Sequence, residues 1–160
     1  MPELELLRLD HAPALLAFEW ENRAYFAASI PDRGDEYFAQ FDQRHSDLLA
    51  GQDAGLHFFH LLVNSDGEVL GRINLVDVAD GSAELGYRIA EKVAGQGLAT
   101  AAVRQIRALA VAEYGLTTLR AATTLDNNGS RAVLGRTGFV PTGETLLGGR
   151  PGTSNSLSLS

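Results

Sequence analysis

An α/β (α+β) domain built on a central sheet is the fold class this sequence predicts, and three observations carry it. Residues 84–89 alternate Leu85, Tyr87 and Ile89 with Glu84, Gly86 and Arg88, as a half-buried strand does. Gly95 and Gly97 then break the pattern, and from Leu98 the apolar residues take helical spacing. Runs of strand character at 57–63, 68–78 and 118–125 are separated from helical stretches by Gly, Asn and Asp turns. At 160 residues the chain fits one domain, 1–160, with a sizeable core.

Taken in order, Leu4, Leu6 and Leu9 with Arg8 predict a short first strand, and Asp10 is placed to cap a helix with Pro13 in its first turn. Leu15, Leu16, Phe18 and Ala27 continue an amphipathic stretch that ends before Pro31. A second helix starts at Asp32-Arg-Gly-Asp, carries Tyr37, Phe38, Phe41, Leu48 and Leu49, and is expected to end at Gly51. Acids and aromatics mix at Glu19, Trp20, Glu21, Asn22, Tyr25 and Phe26, the pattern of a helix pair packed on a sheet. His57 to Val63 reads as a buried strand, Asn64-Ser-Asp-Gly67 as a hairpin turn, and 68–78 as the returning strand. His57 and His60, three apart in a strand, face opposite sides, so no shared metal site is expected.

Asp80-Gly81 makes the next turn, into the strand at 84–89. Beyond the glycines, Ala99, Ala102, Val103, Ile106 and Ala110 form one helical stripe, which Gly115 stops. Thr118 to Leu125 is β-rich, and Asp126-Asn-Asn-Gly supplies the turn and cap of a short helix to Gly138. Residues 139–145 follow as a strand. In the tail, Leu157 and Leu159 alternate with serine as in a final edge strand, while a disordered Gly/Ser-rich end fits the composition equally.

Composition removes several function classes. Thirteen basic against twenty acidic residues give a net charge of −7. Lys92 is the only lysine and there is no basic run, which argues against a nucleic-acid partner. Such a surface suits approach of a cationic amine or a basic peptide, although solubility alone accounts for it. With no cysteine, disulfides, thiolate zinc sites and a cysteine nucleophile are excluded. No signal-like N-terminus and no apolar run of membrane-spanning length is seen, so a cytoplasmic protein without a membrane partner is expected.

The glycine loop opening into a helix is an anion site. First-turn N–H groups lack backbone acceptors there, and residues without Cβ let a phosphate approach. Each N–H bond to a charged oxygen is worth roughly 1.5–3 kcal/mol. A dinucleotide fingerprint needs a third glycine where Thr100 stands, and no Gly-Lys-Ser/Thr triplet exists for a Walker loop. What remains, Ala94-Gly95-Gln96-Gly97-Leu98-Ala99, resembles the acyl-CoA loop of the GNAT superfamily of N-acetyltransferases, Gln/Arg-x-x-Gly-x-Gly/Ala, with Ala94 replacing the usual Gln or Arg. Asn127, Ser130 and Gly138-Phe139 are similar to the Asn-x-x-Ser…Gly-Phe segment of the ribosomal-protein-alanine (Rim-type) branch. A looser match runs from Glu21 to Pro31.

The resemblance implies a mixed, mostly antiparallel sheet of six to seven strands with about four flanking helices. It implies acetyl-CoA as cosubstrate, no metal, and an acceptor amine as partner, first a protein N-terminal α-amine and second a small amine such as an amino sugar, amino acid or polyamine. Main-chain groups of Tyr87, Arg88 and Ile89 would pair with the pantetheine arm, and Gly95, Gln96, Gly97, Leu98, Ala99 and Thr100 would hold the pyrophosphate. Asn127 belongs to the cofactor side, or is simply an N-cap. Lys92 or Arg104 is placed to meet the 3′-phosphate, though a solvated charge is the plainer role for each. Glu84 is the candidate general base, directly or through water, with an ordinary surface glutamate as the plainer reading. Ser130 is the candidate donor to the departing thiolate, because the tyrosine many members carry seven positions after the asparagine is Leu134 here. A homodimer, with the last strand completed by a partner, is one assembly left open. A CoA-binding sensor that has lost the chemistry is the rival class.

Overall fold

Alternation along residues 58–63 sorts side chains to two sides of a sheet, and the layering follows from it. A computed structural model describes residues 2–159; Met1 and Ser160, the ends of the expected domain, lie outside the described residues. The described residues form seven strands: β1 (Glu3–Leu6), β2 (Phe58–Val63), β3 (Val69–Ala79), β4 (Ser82–Ile89), β5 (Thr118–Thr124), β6 (Val140–Leu147) and β7 (Arg150–Ser158). Their spatial order is β1-β2-β3-β4-β5-β7-β6. Every neighbouring pair is antiparallel except β4 and β5. Six helices flank the sheet: α1 (Ala12–Glu21), α2 (Arg23–Ala27), α3 (Asp35–Ala39), α4 (Phe41–Asp53), α5 (Leu98–Ala112) and α6 (Asn128–Arg136). Phe59, Leu61 and Val63 pack with Leu15, Phe18, Phe26 and Phe41 beneath α1 to α4. Ile73, Leu75 and Leu85 pack with Val103, Ile106 and Val133 beneath α5 and α6.

The mixed, mostly antiparallel sheet is the one expected, and the four helical regions are present, the first two each divided. Asn22 separates α1 from α2 with φ −101° and ψ 10°. Its amide donates to the Phe18 carbonyl at 2.9 Å and accepts from the Glu91 N–H at 3.0 Å, a side chain competing with the helix ladder. Gln40 separates α3 from α4 in a similar conformation.

Three local expectations are corrected. Asp10 does not cap α1: residues Leu9–His11 form a 3-10 turn, Asp10 pairs with Arg8 at 3.1 Å, and Leu9 is 68% exposed rather than in the sheet. Gly51 lies inside α4, because a Cβ there would sit 2.5 Å from the His57 ring, and Gly55 at φ +75° carries the chain out of the helix. Of the two readings of the tail the strand holds, as β7, but inside the sheet instead of at its edge. β7 is paired on one side with β5 and on the other with β6 of the same chain, so no partner strand completes it and β6 is the edge. Leu157 and Asn155 are buried there.

One ion cluster ties the first helices to the sheet. Glu19 of α1 is 1% exposed and accepts from Arg33 at 3.0 and 3.1 Å, from Arg72 of β3 at 2.6 Å and from Arg88 of β4 at 3.0 Å. Burial pushes its carboxyl up, but the charges of Arg72 and Arg33 outweigh burial and hold it below the usual range. On the other side His60 donates from Nδ1 to the Ile73 carbonyl at 3.2 Å and accepts at Nε2 from the Tyr114 hydroxyl at 2.6 Å. Burial pushes its pKa from 6.5 down to about 4.

Both groups predict loss of stability in acid. His60 stays neutral when folded but takes a proton near 6.5 when unfolded, so its contribution is present above 6.5 and is lost as the pH falls toward about 4. Glu19, with its folded pKa below 4.5, then gives up its contribution as the pH falls further. Urea unfolding across this range should show a midpoint that drops with pH. At neutral pH Glu19→Gln should cost roughly 3–5 kcal/mol, because buried Arg72 loses its counter-ion. A variant unfolding at the wild-type midpoint would contradict the role given to this cluster.

Candidate active-site cleft

The parallel ladder between β4 and β5 is short: Ser82 faces Thr118, Ala83 faces Leu119, and Glu84 faces Arg120. β5 then stays with β7 as far as Thr124 opposite Gly152, while β4 stays with β3 as far as Ile89 opposite Gly71. The two strands therefore part, and the edge of β4 from Leu85 to Ile89 faces a gap instead of a strand. A cavity of about 510 Å3 lies between Leu85 and Gly86 of β4 and the end of β5 at residues 121–124. A second, also about 510 Å3, runs from Arg88 and Ile89 to the glycine loop. Both are walled by Ser29, Ile30, Tyr87, Asn127 and Ser130, so they form one cleft.

At its far end the backbone takes over. Gly95 and Gly97 have φ of +76° and +79°, which side-chain-bearing residues rarely adopt, and no heavy atom lies within 4 Å of a Cβ built at either. No side chain caps α5. The first-turn N–H groups of Leu98, Ala99 and Thr100 are left for a guest in the second cavity, which those three residues line together with Gly95, Gly97 and Ala94. Gln96 lines neither cavity. Lys92 is drawn away to Glu68 and Glu21, and the basic residues in the wall are Arg88, whose side chain pairs with Glu19, and Arg136. Sequence reading missed Arg136, although Gly129, Ala132, Val133 and Arg136 share the spacing of one helical face.

Asn127 is the N-cap of α6, its Oδ1 accepting from the Ser130 N–H at 3.1 Å, and it also lines both cavities. The capping reading is met, and the same side chain faces the cleft. Ser130 Oγ lies 3.0 Å from the Tyr87 hydroxyl. Tyr87 was expected to offer only main-chain groups, and its side chain is the second thing missed; the alternation with Leu85 and Ile89 carried the signal. Burial pushes its phenol up, partly offset by the bond with Ser130. Arg88 turns the opposite way, to Glu19 and to the Phe26 ring at 4.8 Å. Ile89 packs in the core beside Gly71. Glu84 lines neither cavity. It sits on the last rung of the parallel ladder, on the face shared by Gly86 and Arg88.

Residues 3–140 match the family model described as an acetyltransferase (GNAT) domain. The chain is 33% identical over 129 residues to the Bacillus subtilis (strain 168) protein named "Putative ribosomal N-acetyltransferase YdaF", covering 77% of this chain and 66% of that protein, just under two thirds of its length. Among solved structures, the ribosomal-protein-S5-alanine acetyltransferase from Vibrio fischeri superposes with a TM-score of 0.90 at 21% identity, over 97% of this chain and 91% of that one. Mycobacterium smegmatis RimJ in complex with CoA-disulfide gives 0.85 at 24% identity, over 97% and 80%. At these identities the two structures speak to the fold.

A Cβ at position 97 would strain the left-handed turn by about 1–2 kcal/mol and move the first N–H groups of α5. Gly97→Ala should therefore weaken CoA binding by about tenfold or more in calorimetric titration. Wild-type affinity in this variant would mean that the glycine loop does not hold the phosphates.

Proposed function

The chain belongs to the acetyltransferase (GNAT) family, and from that premise we propose that it is an acetyl-CoA-dependent N-acetyltransferase whose acceptor is a protein N-terminal α-amine. One observation carries the reading. The gap opened by the parting of β4 and β5 holds two adjoining cavities that share Ser29, Ile30, Tyr87, Asn127 and Ser130, one reaching the uncapped helix N–H groups and the other the end of β5. In it the pyrophosphate sits on Leu98 to Thr100, and the pantetheine arm bonds to the free main-chain edge of Leu85 to Ile89. The acetyl group reaches the first cavity beside Ser130.

The acceptor preference rests on charge and on the named likeness to a ribosomal N-acetyltransferase. Among the described residues lining the first cavity, Arg150 is the only charged one, and no carboxylate is present to hold a polycation. An amine entering there does best uncharged. An α-amine with pKa near 8 is roughly a tenth neutral at pH 7, whereas a lysine amine is less than a thousandth neutral, a gap of roughly 3 kcal/mol. The amine nitrogen attacks the thioester carbonyl, the C–S bond breaks, and the electron pair leaves on sulfur, where Ser130 donates a hydrogen bond. The proton shed by the amine leaves through water toward Glu84, two residues before Gly86 on the same strand face.

Thiol release from acetyl-CoA should be at least tenfold faster per unit kcat/KM with N-terminal peptides than with spermidine or an internal lysine peptide. The reverse order would overturn the acceptor assignment. Glu84→Gln should lower kcat by about 100-fold with acetyl-CoA affinity retained. Unchanged turnover in that variant removes Glu84 from the proton path.

A further inference from the structure

The wall common to both cavities holds a hydroxyl pair that the reaction described above uses only in half. Ser130 Oγ and the Tyr87 hydroxyl are 3.0 Å apart, one from the first turn of α6 and the other from the middle of β4. We infer that Tyr87 is a positioning residue for acetyl transfer: its hydroxyl donates to Ser130 Oγ and so turns the Ser130 proton toward the sulfur of the bound thioester. This rests on the acetyltransferase reading and deepens it.

The direction of the bond follows from the two groups. A phenol is a far stronger acid than an aliphatic alcohol and is the better donor, while a serine oxygen has two lone pairs to offer. Burial pushes the Tyr87 phenol up, so it keeps its proton throughout the working range. The ring does not wander: Tyr87 is paired with Ile73 across β3 and packs against the core beneath α5 and α6. Ser130 is fixed as well, because Asn127 Oδ1 holds its N–H at 3.1 Å. Among the described residues no carbonyl accepts from Ser130 Oγ. With one lone pair occupied by the Tyr87 proton, the serine O–H is left free for the cleft.

The chemistry closes without a proton leaving Tyr87. As the N–C bond forms and the C–S bond breaks, charge grows on sulfur and the Ser130 O–H donates to it. The Tyr87 bond strengthens that donation, since a donor that also accepts is polarised further. The proton that the amine sheds toward Glu84 is finally returned through water to the thiolate, which leaves as the thiol.

The test compares Tyr87→Phe, Ser130→Ala and the double variant in two readouts. The first is the pKa of the thiol of enzyme-bound CoA, followed by thiolate absorbance and independent of turnover. The second is the split between kcat and KM for acetyl-CoA. Each single variant should raise the bound-thiol pKa by about one unit and lower kcat by about tenfold. KM should stay within about twofold, and the double variant should be no slower than Ser130→Ala alone. A wild-type thiol pKa and kcat in Tyr87→Phe would overturn the inference, and so would a Tyr87→Phe penalty that persists in full when Ser130 is already alanine. If wild-type protein does not bind CoA at all, the acetyltransferase reading itself falls; binding with an unmoved thiol pKa overturns this inference alone.

Discussion

The parting of β4 from β5 is the constraint on which the rest of the molecule depends. Each of the two strands has a partner it keeps, β3 for one and β7 for the other, and the twist of a sheet draws such pairs apart once the ladder between them stops. The ladder stops after Glu84 opposite Arg120. Past that point β4 would carry unmet N–H and C=O groups into the interior, which is costly unless a guest or water meets them. Side chains from α2, β4 and α6 wall the gap without filling it, and a cleft results. On the proposed reading, cofactor binding is therefore a consequence of strand pairing. No large set of polar side chains has to be assembled for it.

The two ends of the cleft are stiffened by different physics. At the loop end, backbone conformation does the work: two left-handed glycines aim the start of α5, and α6 supplies Arg136. At the other end, the wall formed by residues 27–31 depends on α1 and α2 keeping their place over the sheet. The Glu19 carboxylate holds them there through three guanidinium groups from the loop after α2, from β3 and from β4. Arg88 shows the economy of the arrangement. Its main chain borders the gap while its side chain locks the helix layer.

Much of this was legible in the sequence, where local chemistry decides the outcome. The strand at 84–89, the glycine loop, the helix from Leu98 and the Asn127 cap all depend on near neighbours, and each is found where residue type put it. The misses share a cause. Gly51 resembles a helix stop, but contact with His57 explains it; the tail resembles an edge, but the open side of β5 claims it. Tyr87 and Arg136 entered the cleft through contacts with elements 43 residues away or from a helical face that no local rule singles out. Glu84 was read from its strand and indeed lies there, one rung short of the cavities.

Hydrogen exchange of backbone amides with and without CoA addresses the central claim most directly, since the free strand edge and the uncapped helix turn are main-chain donors. The account predicts that CoA slows exchange at residues 85–89 and 98–100 together, with little change in β1, β2 or α4. Protection confined to other segments, or none at saturating CoA, would contradict the placement of the cofactor in the gap between β4 and β5.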